Sequence, residues 1–132
     1  MKLRHFLISI LFLSSCSSTQ IVSDVEYIRF GSGGGFTGAV KQYQLSKEGS
    51  LSLISKNDTS FIKTIDPEKL SQIIRTAEKA KPIKLNEPKN MYQFIELDTK
   101  DENHYRWVWG LGHQDLPEEL DILYKSLSNL TK

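Results

Sequence analysis

Alternation of apolar and polar residues predicts strands in the first half of the chain. From Val25 to Phe30, alternate side chains would lie on opposite sides of a strand. Residues 39–45, 51–55 and 60–65 are also strand-like, with Tyr43 and Leu45 on one face of the second strand. Because turn residues separate most of these segments, we expect strands joined mainly by short connections.

Two later segments repeat their apolar residues with the period of a helix. In the first, Asp66 suits the N-cap, Pro67 suits the first helical position, and Pro82 ends the pattern. In the second, Asp115 and Glu118 have the spacing of a capping box. The apolar stripes are Leu70, Ile73, Ile74 and Ala77 in the first helix, and Leu116, Leu120, Leu123, Leu127 and Leu130 in the second.

The region between the helices completes the predicted fold. Residues 84–90 indicate a loop, and residues 91–98 and 104–109 indicate two strands joined by a hairpin connection. The element order is therefore ββββαββα. We predict an α+β domain with an antiparallel sheet of about five to six strands and two amphipathic helices on one face.

The N-terminus follows a different pattern. Lys2 and Arg4 precede an apolar run over residues 6–13, and small residues lead to Cys16, which is the layout of a secretory signal. The run is too short for a membrane-spanning helix, which needs about 20 apolar residues. A plain cleaved signal would leave Cys16 as a lone thiol. The ending Leu13-Ser14-Ser15-Cys16 resembles the lipobox of bacterial lipoproteins, in which the chain is cut before the cysteine and the thiol is acylated.

This resemblance implies three parts: a signal peptide at residues 1–15, a lipidated Cys16 with a tether at 16–24, and one globular domain at 25–132. The acyl chains would hold the protein at a membrane of the bacterial cell envelope. Ser17 stands where aspartate tends to retain lipoproteins at the inner membrane of enteric-type bacteria. The outer membrane is therefore favoured if the cell is Gram-negative.

Composition excludes several classes of function. Cleavage would remove Lys2 and Arg4 from the 17 basic side chains, which leaves 15 against 16 acidic ones. No basic excess remains to drive nucleic-acid binding. Cys16 is the only cysteine, so the sequence indicates neither a disulfide nor a thiolate metal site.

No residue pattern indicates catalysis, a metal or a cofactor. Gly33 to Gly38 fit the spacing G-x-G-x-x-G, but a strand-like segment follows where a dinucleotide site requires a helix. His104 and His113 lack the spacing of a helical ligand pair. Glu96 and Asp98 are either paired carboxylates or part of a solvated strand face. We therefore predict that the protein is not an enzyme.

Two aromatic features each leave two interpretations open. Phe36 lies in a glycine-rich segment, residues 31–38, which indicates a loop or wide bulge, and it either fills the core or projects as an anchor for a partner. Tyr105, Trp107 and Trp109 share one face of a strand, which indicates either core beneath a helix or a binding face.

The glycine-rich segment also carries a family resemblance. Ser32-Gly33-Gly34-Gly35-Phe36-Thr37-Gly38 resembles the Ser-Gly-Gly-Phe-x-Gly signature of the emfourin family, which are small protein inhibitors of thermolysin-like zinc metalloproteases. The layout of the later helices and strands is also similar, so the resemblance extends over about residues 25–130. The chain departs from the family by one extra glycine and by its lipid anchor. The matching positions are Ser32, Gly34, Gly35, Phe36 and Gly38.

The resemblance implies a lipid-anchored inhibitor whose glycine-rich loop enters a protease cleft. Phe36 would fill an apolar primed-side pocket of the enzyme. The partners would then be the membrane, through the N-terminal lipid, and a metalloprotease. The alternative is a structural or assembly lipoprotein whose sheet face or edge binds another envelope protein. Neither hypothesis involves nucleic acid or a cofactor.

Overall fold

The computed structural model describes residues 22–132. The predicted signal peptide, Cys16 and the first part of the tether lie outside the described residues. In the described part the elements are β1 (Val25–Gly34), β2 (Lys41–Ser46), β3 (Ser50–Ser55), β4 (Asp58–Thr64), α1 (Pro67–Ala80), β5 (Asn86–Glu87), β6 (Met91–Thr99), β7 (His104–Gly110) and α2 (Glu118–Asn129). None of the helices within residues 22–132 combines the length and apolar character needed to cross a membrane.

One mixed sheet contains all seven strands, in the spatial order β4-β3-β2-β1-β6-β7-β5. The α+β class and the two helices are confirmed. The predicted count of five to six strands and the purely antiparallel sheet are wrong in detail, because β5 adds a strand that runs parallel to β7. β5 has only two residues, which is too short for an alternating pattern, so its pairing with Val108 and Trp109 comes from the tertiary fold.

The core lies between the helices and one face of the sheet. Trp107 and Trp109 on β7 are buried there with Leu120 and Leu123 of α2, so the aromatic stripe is core. Both indole N–H groups are satisfied: Trp107 Nε1 donates to the carbonyl of Ile83 at 2.9 Å, and Trp109 Nε1 donates to Gln93 Oε1 at 3.0 Å. This packing agrees with the prediction that both helices cover one face of the sheet.

The two helix starts differ in how well their sequences predicted them. Asp66 caps α1, accepting from the backbone N–H of Lys69 at 3.4 Å, as predicted. The capping box at Asp115 is wrong, because α2 begins at Glu118 and its N-cap is Pro117, with no side-chain cap. Helical backbone angles are disfavoured for the residue before a proline, so Pro117 keeps Leu116 out of the helix.

The other face of the sheet carries a network of charges. Arg29 Nη2 lies 2.6 Å from Asp98 Oδ2, and Arg106 Nε lies 2.9 Å from Glu96 Oε1. His104 Nδ1 lies 2.7 Å from Asp98 Oδ1. These contacts support the interpretation of Glu96 and Asp98 as part of a solvated strand face, since each carboxylate is partnered by basic groups.

Candidate functional site

Four strand ends meet at one end of the sheet. The register pairs Ser32 with Lys41, Gly34 with Met91, and Tyr92 with Gly110. The end of β1, the starts of β2 and β6, and the end of β7 therefore lie side by side. We call this the glycine-loop end, after the glycine loop (residues 35–40) that joins β1 to β2.

The glycine-rich segment is only partly a loop. Residues 31–34 belong to β1, which corrects the prediction of a loop over the whole segment. Pairing with β2 as far as Ser32, and with β6 as far as Gly34, extends β1 through these glycines despite their low strand propensity. At Gly34, φ is 89°, and an added Cβ would overlap the carbonyl oxygen of Asn90, so this position requires glycine.

Backbone hydrogen bonds hold the glycine loop against its neighbour. The N–H of Gly35 donates to the carbonyl of Asn90 at 2.9 Å, and the N–H of Gly38 donates to the carbonyl of Gly35 at 3.2 Å. The N–H of Leu111 donates to the carbonyl of Met91 at 2.9 Å, which ties the connection after β7 to the same place. The loop therefore has a defined shape.

Phe36 projects from the glycine loop and is fully exposed. Of its two predicted placements, the structure excludes core filling. Val40, Met91 and Leu111 lie at the same end of the sheet with exposed fractions of 51%, 52% and 53%. We call these three residues the apolar shelf. Exposed apolar side chains that cluster in this way are typical of interaction surfaces.

Two depressions flank the apolar shelf. A shallow cleft of about 300 Å³ is lined by Gly33 and all three shelf residues. A groove of about 670 Å³ lies between Leu111 and helix α2. Tyr124 lines this groove and is held in place by two contacts. Its hydroxyl donates to the carbonyl of Gly31 at 3.2 Å, and its ring packs edge-on against Trp109, with ring centroids 5.2 Å apart. Burial raises the pKa of Tyr124 and keeps it a hydrogen-bond donor.

The predicted site residues fall into two groups. Ser32 and Gly34 are strand residues, whereas Gly35, Phe36 and Gly38 form the loop beyond them. Sequence reasoning missed the apolar shelf, because its members come from three separate segments: Val40 from the glycine loop, Met91 from the start of β6, and Leu111 from the turn after β7. A usable signal is present at Leu111, an apolar residue between Gly110 and Gly112 in a turn where polar residues are expected.

The side chains that could hold a metal ion are spread over the domain. Within residues 22–132, no three His, Cys, Asp or Glu side chains are grouped so as to hold a metal ion. His104 is engaged with Asp98 on the open face of the sheet, whereas His113 lies beside the groove near α2. The two histidines are therefore in different surroundings, and neither lies on the glycine loop.

Comparison with known protein families and with curated proteins finds no match for this chain. The resemblance to the emfourin family therefore rests on the signature residues and stays a prediction.

Proposed function

We propose that this protein is a lipid-anchored protein of the bacterial cell envelope that inhibits thermolysin-like zinc metalloproteases. The observation that carries the proposal is Phe36, which is fully exposed on a narrow, hydrogen-bonded loop beside the apolar shelf. An exposed aromatic side chain gains about 1.5–3 kcal/mol when a partner buries it. The protein acts in this proposal by binding rather than by catalysis.

The shape of the loop suits a cleft. Glycines at positions 33, 34, 35 and 38 keep its flanks free of side chains, so Phe36 is its largest projection. The loop would enter the substrate cleft, and Phe36 would occupy an apolar pocket. The hydrogen bonds of Gly35 and Gly38 would lower the entropy that the loop loses on binding.

An inhibition titration tests this proposal. Residues 17–132, which contain every described helix and strand, are titrated into thermolysin while cleavage of a fluorogenic peptide is followed. We expect stoichiometric loss of activity. Phe36→Ala should raise the inhibition constant by about 30-fold or more, because a hot-spot side chain contributes about 2 kcal/mol.

Phe61→Ala is the matched control, since Phe61 is also an exposed phenylalanine but lies on edge strand β4. It should inhibit like the unmodified protein. No inhibition at micromolar protein, or equal weakening by both substitutions, would contradict the proposal.

A second candidate is the structural or assembly lipoprotein, and strand β4 favours it. All seven residues of β4 are exposed, and within residues 22–132 no strand pairs with its outer edge. Such an edge can accept a strand from a partner. A photo-crosslinking residue placed at Phe61 would then capture an envelope protein, whereas the same residue at Phe36 would not. The opposite result favours the inhibitor.

A further inference from the structure

Four side chains tie the start of β1 to the end of α1. Ser23 Oγ donates to Glu78 Oε1 at 2.6 Å. Lys81 Nζ lies 2.7 Å from Asp24 Oδ1 and 2.8 Å from Glu78 Oε2. It also lies 5.7 Å from the centroid of the Tyr105 ring, within range of a cation–π interaction. We call Ser23, Asp24, Glu78 and Lys81 the N-terminal clamp.

The charges of the clamp reinforce each other. The hydrogen bond from Lys81 lowers the pKa of the Asp24 carboxyl group. Burial lowers the pKa of Lys81, but its hydrogen bonds to Asp24 and Glu78 outweigh this effect and raise it. The Asp24 carbonyl also accepts from the backbone N–H of Lys100 at 2.8 Å. The chain therefore enters the domain at a fixed point.

That entry point and the glycine loop lie at opposite ends of the central strand. β1 runs from Val25, beside the clamp, to Gly34, where the glycine loop follows, and its pairing with β6 is irregular only between Val25 and Tyr27. Ten residues of strand span about 30 Å. Cys16 and Ser23 are seven residues apart, and seven residues reach at most about 25 Å.

The end of the domain beside the clamp has no basic excess. The turns after β2 and β6, the end of α1 and the start of β1 carry four lysines and six carboxylates: Lys47, Lys79, Lys81 and Lys100 against Asp24, Glu26, Glu48, Glu78, Asp101 and Glu102. Anionic lipid headgroups attract clusters of lysine and arginine, and this mixture provides none. The charge at this end therefore gives the domain no reason to lie flat on an anionic membrane.

We propose that the clamp directs the glycine loop away from the membrane, so that it meets partners arriving from the aqueous compartment. This inference rests on lipidation of Cys16 and deepens the proposed function, because it selects soluble proteases as targets over membrane-embedded ones. The lipid fixes the location of the protein, and the clamp fixes which end of the sheet is presented.

Fluorescence quenching in vesicles tests the orientation. The acylated lipoprotein, residues 16–132, is reconstituted into phosphatidylcholine–phosphatidylglycerol vesicles that carry a nitroxide on the lipid headgroup. The same fluorophore is attached to Asp101→Cys, in the turn near the clamp, or to Thr37→Cys, in the glycine loop. We expect loss of fluorescence at position 101 and none at position 37. Equal quenching at both positions, or quenching at position 37 alone, overturns the proposal.

Two controls separate this inference from the proposed function. The first control is residues 17–132 with the same labels. This protein lacks Cys16 and its lipid, so it should neither float with vesicles nor be quenched. Failure of the acylated lipoprotein to float overturns the inference, whereas the thermolysin titration is unaffected because it uses the lipid-free chain. Lys81→Met, checked for folding by circular dichroism, loosens the side-chain contacts of the clamp and should reduce the difference in quenching between positions 101 and 37. An unchanged quenching pattern in this variant would contradict the role of the clamp.

Discussion

At Gly34, backbone geometry rather than side-chain chemistry determines the residue. Its φ of 89° is strained for any other residue, and a Cβ would overlap the carbonyl of Asn90. Gly34→Ala should lower the free energy of unfolding by about 2–3 kcal/mol, measured by urea denaturation. Gly112→Ala is the control, because Gly112 has φ of 77° but open space around its Cα, so it should cost only about 1 kcal/mol. Equal losses of stability in the two variants would mean that the carbonyl of Asn90 shifts to accommodate the added Cβ at little cost.

The ion pair between Asp24 and Lys81 predicts a pH dependence at the residue scale. The pKa of Asp24 is lower in the folded protein than its usual value of about 3.9, so its contribution is present above pH 4 and is lost as pH falls through the folded pKa. Asp24→Asn should therefore cost up to about 1 kcal/mol at pH 7 and less at pH 3. Urea denaturation at both values measures this, and a difference that grows on acidification would contradict it.

The two helix starts show what local sequence determines at the scale of an element. Asp66-Pro67 predicts the start of α1 because the cap needs only neighbouring backbone groups. At α2 the same reasoning chose Asp115, and the conformational preference imposed by Pro117 overrode it. Asp66→Ala should therefore lower the free energy of unfolding by about 1 kcal/mol, whereas Asp115→Ala should leave it nearly unchanged. Thermal unfolding measures both variants. A loss of stability in Asp115→Ala as large as in Asp66→Ala would mean that Asp115 does cap α2.

Elements defined by their neighbours were not predictable from their own residues. β5 is too short to carry a pattern, and residues 31–34 look like a loop because glycine disfavours strands. Both become strands because an adjacent strand offers backbone partners. By contrast, the apolar stripes of α1 and α2 and the aromatic stripe of β7 were predictable, since burial on one face imposes their period.

At the scale of the molecule, the fold divides its polar and apolar surfaces. One face of the sheet is closed by the helices, and the other carries a charge network centred on Glu96 and Asp98 beside the apolar pair Phe94 and Val108. The sequence identified Phe36 and its glycines as a candidate site because they are contiguous. The apolar shelf needs the folded sheet, because antiparallel pairing alone brings Met91 beside Gly34 and places Leu111 next to Met91.

The shelf gives the proposed inhibitor a contact surface beyond its signature loop. If the target covers the shelf, it buries the exposed half of Met91 and of Leu111. The double variant Met91→Ser, Leu111→Ser loses this apolar burial in the complex and should weaken inhibition by about 30-fold. Ile122→Ser is the control: Ile122 is 45% exposed but lies on α2 where it faces the groove to α1. The thermolysin titration compares the unmodified protein, the double variant and Ile122→Ser. Unchanged inhibition by the double variant, alongside loss with Phe36→Ala, would restrict the interface to the glycine loop.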